Sequence, residues 1–139
     1  MATVQPAREP LDVAMDFIKC INSGDVDAIC ELMTEGHIFQ DALGGRFIGR
    51  EKMREGWGAY FKIVRDYQIH AEEFFQTDNK LAIFGSASGV YVGNGEASGN
   101  NFWEVPAAWR AVIRDGLVAE WRVYADNQPL RKLMGEPQP

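Results

Sequence analysis

The chain reads as an α+β protein in which three helices come first and cover one face of a curved antiparallel sheet. Three observations predict this. Apolar residues recur at helical spacing up to Val64, alternating and aromatic runs take over after Asp66, and the tight-turn triplet Arg114-Asp115-Gly116 separates the last two of those runs. Helices gathered at one end and strands at the other argue against the alternating units that build a parallel sheet.

The first helix follows Pro10: Leu11, Ala14, Met15, Ile18 and Ile21 share one face, and Asn22-Ser23-Gly24 stops it with turn chemistry. Asp25 can cap the second, whose stripe is Val26, Ile29, Cys30, Leu32 and Met33, ending by Gly36. His37 to Asp41 alternates, meets Leu43-Gly44-Gly45 and returns through Arg46-Phe47-Ile48, which predicts a small hairpin. Gly49 releases the chain into the third helix, where Met53, Trp57, Tyr60, Phe61 and Val64 keep the helical period. Tyr67 to Thr77 and Leu81 to Val92 are strands joined through Asp78-Asn79-Lys80, and a glycine-rich loop runs from Gly93 to Asn101. Phe102 to Ile113 and Leu117 to Ala125 are the last two strands. With no repeat and no linker, residues 1–139 form one domain whose ordered core runs from about residue 8 to residue 134, the tail after Gly135 being loose.

Composition narrows the function. The 139 residues are 46% apolar, enough for one sizeable core, and the net charge of -6 disfavours a phosphate backbone as partner, so no nucleic acid is expected. The opening residues lack the pattern of a secretory leader and no window approaches a membrane span, which predicts a cytoplasmic protein with no membrane partner. Cys20 and Cys30 have neither CxxC spacing nor a nearby His, so they read as reduced, packed thiols. Neither a metal ligand set nor a phosphate loop is present, and no metal or organic cofactor is expected.

Four segments carry a family resemblance: Ser23-Gly24-Asp25-Val26-Asp27-Ala28-Ile29, Asp41 before a glycine turn, Gly49-Arg50-Glu51 opening the third helix, and Gly116 leading into Trp121-Arg122-Val123-Tyr124-Ala125-Asp126. Together they resemble the nuclear transport factor 2-like superfamily, and within it the SnoaL-like and ketosteroid isomerase-like proteins, over nearly the whole chain. The resemblance implies a cone-shaped sheet, a cystatin-like α+β roll, wrapped around its helices and enclosing a deep apolar pocket. It also implies a general base at Asp41, because ketosteroid isomerases place an Asp just before a comparable turn. Other catalytic positions are changed here. Phe17 and Trp109 stand nearest the oxyanion-binding Tyr and Asp of those isomerases, Val123 stands where SnoaL-like cyclases carry an Asp, and Gly85-Ser86-Ala87-Ser88 replaces the Arg-x-Asp of epoxide hydrolases.

Read from the residues themselves, His37, Phe39 and Asp41 share a strand face by alternation, which makes Asp41 and His37 the candidate catalytic pair. Asp41 has a second reading, as the acceptor of backbone N–H groups in its own Asx-type turn, and His37 a second one as a capping or solvated side chain. Phe17, Phe39, Trp57, Tyr60, Trp109, Trp121 and Val123 are the candidate substrate-binding wall, with indole and phenol groups as neutral donors. Asp126 reads as structural. Glu120, Arg122 and Tyr124 lie on the opposite strand face and predict a homodimer interface. The function expected is proton transfer or dehydration on a small apolar carbonyl compound. The alternative is a non-catalytic domain that holds a hydrophobic ligand or a protein in the same cone.

Overall fold

In the computed structural model, which describes residues 8–93 and 101–135, Pro10 opens α1 (Pro10–Ser23), where its missing N–H costs nothing. Gly24, in the left-handed region at φ 71°, closes it. The buried face is Val13, Ala14, Phe17, Ile18 and Ile21, rotated from the stripe predicted through Leu11 and Met15, and Met15 is exposed. Asn22 fastens the helix end to the sheet, accepting from Ile69 N–H at 2.7 Å and donating to Ile69 O at 3.0 Å. Asp25 caps α2 (Val26–Glu31) by accepting from Ala28 N–H at 3.1 Å.

The second helix is shorter than its stripe predicts. Leu32 O accepts from Val118 N–H at 2.7 Å, which draws the chain onto the sheet, and β1 (Met33–Gln40) begins at once. His37 therefore sits inside a strand rather than at a helix end. The short β2 (Arg46–Ile48) completes the predicted hairpin, and α3 (Arg50–Ile63) starts after Gly49, whose φ of 111° suits glycine. Four strands follow: β3 (Val64–Thr77), β4 (Lys80–Tyr91), β5 (Phe102–Arg114) and β6 (Leu117–Ala125). Residues 94–100 of the predicted glycine-rich loop, and the tail after Gly135, lie outside the described residues.

A fourth helix, α4 (Gln128–Leu133), joins the three expected ones. Six residues are too few to display a helical stripe, so periodicity does not reveal it. Its start is nonetheless encoded: Asp126 accepts from Gln128 N–H at 3.0 Å and a Pro occupies the first turn.

The strands form one open sheet in the order β2-β1-β6-β5-β4-β3. All neighbours are antiparallel except β1 and β6, so the all-antiparallel expectation is corrected at that pair. The cause is topological. After β2 the chain crosses through α3 to the far edge and meanders back strand by strand, and β6 reaches β1 running in its direction.

Along β5 the odd-numbered residues Trp103, Val105, Ala107, Trp109 and Ala111 are buried while Phe102, Glu104 and Pro106 face outward, the alternation of a sheet with one covered face. Phe17 of α1 meets Trp121 edge to face at 4.9 Å and both are essentially unexposed. Each such buried aromatic contributes on the order of 3 kcal/mol of hydrophobic stabilisation.

Candidate functional site

A cavity of about 610 Å³ opens between α3, the β1–β2 hairpin, α4 and the facing ends of β3, β5 and β6. Its wall is a relay of rings: Phe47 to Phe39 at 6.2 Å, Phe39 to Trp57 at 6.2 Å, Trp57 to Tyr60 at 6.2 Å, Tyr60 to Tyr67 at 5.3 Å and Tyr67 to Trp103 at 6.1 Å. The relay begins at partly exposed Phe47 and ends at Trp103, which is 4% exposed, so it runs from the mouth inward. Of the residues expected in the wall, Phe39, Trp57, Tyr60 and Val123 line this cavity. Phe17, Trp109 and Trp121 do not, because they are spent on one another: Trp109 stacks on Trp121 at 6.5 Å and Trp121 packs on Phe17.

Among the wall residues that the sequence does not single out are Trp103 and Tyr67. Trp103 stands an even number of positions before Trp109, so strand alternation alone puts both on one face; what alternation lacks is the depth at which each meets the helices. Tyr67 is aimed by a bulge. The β3–β4 register shifts between Arg65 and Gln68, and Asp66 takes φ 54°, which breaks the alternation of β3 at Tyr67.

Asp41 sits where β1 gives way to the hairpin turn, half-buried and on the cavity wall beside Ala42, Leu43 and Phe47. Its Oδ1 accepts from Leu43 N–H at 3.0 Å and Gly45 N–H at 2.8 Å, while the backbone closes the turn through Asp41 N–H to Gly45 O at 2.9 Å. The Asx-type turn of the second sequence reading is thus present, and the same carboxylate faces the cavity. No described donor reaches Oδ2. Gly45 keeps that oxygen accessible, since a Cβ there would come within 2.7 Å of it. The carboxylate accordingly has one oxygen held by the backbone and one free to take a proton.

Neutral donors lie further in. Burial pushes the Tyr67 phenol well above its usual range, and burial followed by the neighbouring Tyr67 does the same to Tyr60, so both stay protonated at any working pH. The indole N–H groups of Trp57 and Trp103 are sealed by packing and unpartnered among the described residues.

The sequence matches the SnoaL-like domain profile over residues 14–121, more than half of the chain. The chain belongs to the SnoaL-like domain family. A candidate SnoaL-like polyketide cyclase from Jannaschia Sp. CCS1 is similar in structure, with a TM-score of 0.79, 15% identity and coverage of 99% of each chain. IdmH, a candidate polyketide cyclase from Streptomyces antibioticus, gives 0.76 at 19% identity over 93% of this chain and 100% of its own. A Catenulispora acidiphila protein with a ketosteroid isomerase-like fold, solved with trimethylamine, gives 0.78 at 14% over 91% and 94%. At these identities the likeness shows the fold alone. No curated protein matches the sequence.

His37 of this SnoaL-like domain is neither at the cavity nor in solvent. It is fully buried, with Nδ1 2.7 Å from Val118 O and its ring 6.1 Å from that of Phe17. The carbonyl can only accept, so Nδ1 carries the proton, and Nε2 is left without a partner among the described residues. Burial lowers its pKa from 6.5, against smaller opposing effects of the Val118 bond and the Glu120 charge. The folded state therefore prefers the neutral ring. Its stability should be complete above pH 6.5 and fall as pH drops below that value toward the lowered folded one, with a slope approaching ~1.4 kcal/mol per pH unit. Urea melts between pH 5 and 7.5 check this; a His37→Gln variant with the same acid slope as the parent would remove His37 as the cause.

Among the described residues no group of three or more His, Cys, Asp or Glu could hold a metal ion, and no helix is long and apolar enough to cross a membrane. Cys20 and Cys30 are free thiols.

Proposed function

We propose that this SnoaL-like domain is a small-molecule enzyme that moves a proton next to a carbonyl, or eliminates water, on an apolar ring-like substrate, with Asp41 as the base. The observation that carries the reading is a carboxylate with one anchored and one free oxygen on the wall of a cavity lined mostly by aromatic and aliphatic side chains, with Lys52, Glu55 and Arg131 as the other charged groups. The volume of about 610 Å³ suits a drug-sized ligand. Backbone bonds to Oδ1 fix the direction of the base, and a bound apolar ligand excludes the water that would otherwise solvate Oδ2. The names of the similar cyclase structures agree with chemistry on polyketide-like rings. Turnover of cyclic ketones, enones and polyketide-like rings by the parent and by Asp41→Asn tests the assignment.

One observation favours the rival reading, a non-catalytic binding domain. Val123 presents an apolar side chain to the cavity, at the position where the resemblance to SnoaL-like cyclases implies an Asp, so Asp41 has no carboxylate partner there. A ligand that binds with unchanged affinity to Asp41→Asn and is never turned over would select that reading.

The protein is proposed to act as a homodimer in the reducing cytoplasm, a setting suited to its two free thiols. Phe84, Ala108 and Tyr124 are in register across β4, β5 and β6, and Phe84 and Tyr124 remain 47% and 45% exposed, an apolar row on the outer face of the sheet. Beside it, Arg110 pairs with Glu120 at 3.5 Å and Arg122 lies 4.6 Å over the Tyr124 ring. Light scattering at micromolar concentration should return twice the mass of the chain; the mass of one chain would count against the dimer.

A further inference from the structure

We infer that Tyr60 and Tyr67 form a two-donor clamp that selects ligands presenting an uncharged acceptor atom at the inner end of the cavity. The inference rests on the reading of this cavity as the ligand site, and on nothing about Asp41. The two rings meet edge to face, 5.3 Å apart and at 90°, one from the last turn of α3 and the other from the bulge that opens β3. Both line the cavity. Neither hydroxyl has a hydrogen-bond partner among the described residues, yet neither is sealed in the packing as the indole N–H groups of Trp57 and Trp103 are. An unpaired phenol in an apolar wall is costly until something accepts from it, and a ligand atom in the cavity is placed to do so.

The chemistry of the acceptor follows from what surrounds the pair. Phe39, Trp57 and Trp103 supply rings but no cation, so a carboxylate drawn to this depth would lose its hydration without a counter-charge. Two cations line the cavity, Arg131 from α4 and Lys52 from α3, and Lys52 stands eight residues before Tyr60, about 12 Å along the helix axis, at the mouth end. An anionic group on a ligand would therefore be drawn toward Lys52 or Arg131, while a carbonyl or ether oxygen suits the phenol pair. Because both phenols stay protonated at working pH, they present donors under all ordinary conditions.

The test uses three bicyclic probes of similar size: 1-tetralone, the hydrocarbon tetralin, and 1,2,3,4-tetrahydro-1-naphthoate. Binding is measured by calorimetry to the parent, Tyr60→Phe, Tyr67→Phe and the double variant, with the infrared carbonyl stretch of bound tetralone recorded alongside. The expected result is tetralone binding about tenfold more tightly than tetralin, the tetrahydronaphthoate binding more weakly than either, and the ketone's advantage vanishing in the double variant while tetralin affinity stays put. The carbonyl stretch should move to lower wavenumber in the parent and return in the double variant. Equal affinity for ketone and hydrocarbon, an advantage that survives both substitutions, or failure of all three probes to bind would overturn the clamp. Should the double variant not fold, an unshifted carbonyl stretch in the parent overturns it equally. Turnover in Asp41→Asn reports on the base, whereas the carbonyl stretch of tetralone bound to the parent reports on the clamp, so a failure of the one and a failure of the other are separable.

Discussion

Asp41→Asn is expected to lower turnover by roughly 10²- to 10⁴-fold, the usual worth of a positioned general base, while leaving the protein folded. The expectation comes from the division of labour in one carboxylate. Oδ1 closes the turn by accepting from Leu43 and Gly45 N–H groups, a task an Asn carbonyl oxygen performs equally well. Oδ2 becomes an amide nitrogen, which cannot take a proton from a substrate carbon. The turn should survive, with stability changed by less than about 1 kcal/mol, and the chemistry should stop. Asp41→Ala separates the two tasks further, since it removes the turn acceptor as well and should cost about 1 kcal/mol more, as losses of side-chain caps do. Steady-state kinetics and thermal melts on the same preparations decide the matter. Full activity in folded Asp41→Asn would exclude Asp41 as the base and move the preference to a binding domain.

The sequence exposes this site only as far as local rules reach. Asp41 is visible because an acidic residue followed by Leu43-Gly44-Gly45 has its own short-range signature, and Phe39, Trp57 and Tyr60 are visible because alternation and helical period put them on inward faces. Depth is a different matter. Phe17, Trp109 and Trp121 obey the same face rules as the cavity residues, but they interlock across the sheet and α1 and leave no space between them. Trp103 and Tyr67 border open volume, and for Tyr67 the cause is the register shift of β3 between Arg65 and Gln68, which no local pattern announces. Pairing is equally remote from local pattern: nothing within Met33–Gln40 reveals that its neighbour is β6, running parallel, because that partnership is settled by the return of the whole meander. His37 shows the consequence. Once its segment pairs with β6 inside the sheet, a side chain that reads as catalytic, or as capping or solvated, becomes one of the most buried among the described residues.

Gly85→Ala is expected to be among the most damaging small substitutions in the protein, costing about 3 kcal/mol or more as overpacking with no room to relax does. Gly85 lies in β4 opposite Ala71, beside the second register shift of the β3–β4 pair, between Ala71 and Glu73. A Cβ at this position would overlap the His70 carbonyl oxygen and come 2.9 Å from its carbon and 3.2 Å from the Ala71 Cα. All three are backbone atoms, so no rotamer change can make room and β3 itself must move. Its movement reaches the cavity, because β3 carries Tyr67 and β4 carries Ala87, both on the wall. Glycine next to a bulge is the usual device for bending a sheet, and here it lets β4 approach the β3 backbone closely. Thermal unfolding of Gly85→Ala should therefore show a midpoint lower by on the order of 10 °C, with tetralone affinity reduced even in the fraction that remains folded. An unchanged midpoint would mean that β3 yields freely at His70, and the close approach of β3 to β4 would then have no part in shaping the cavity.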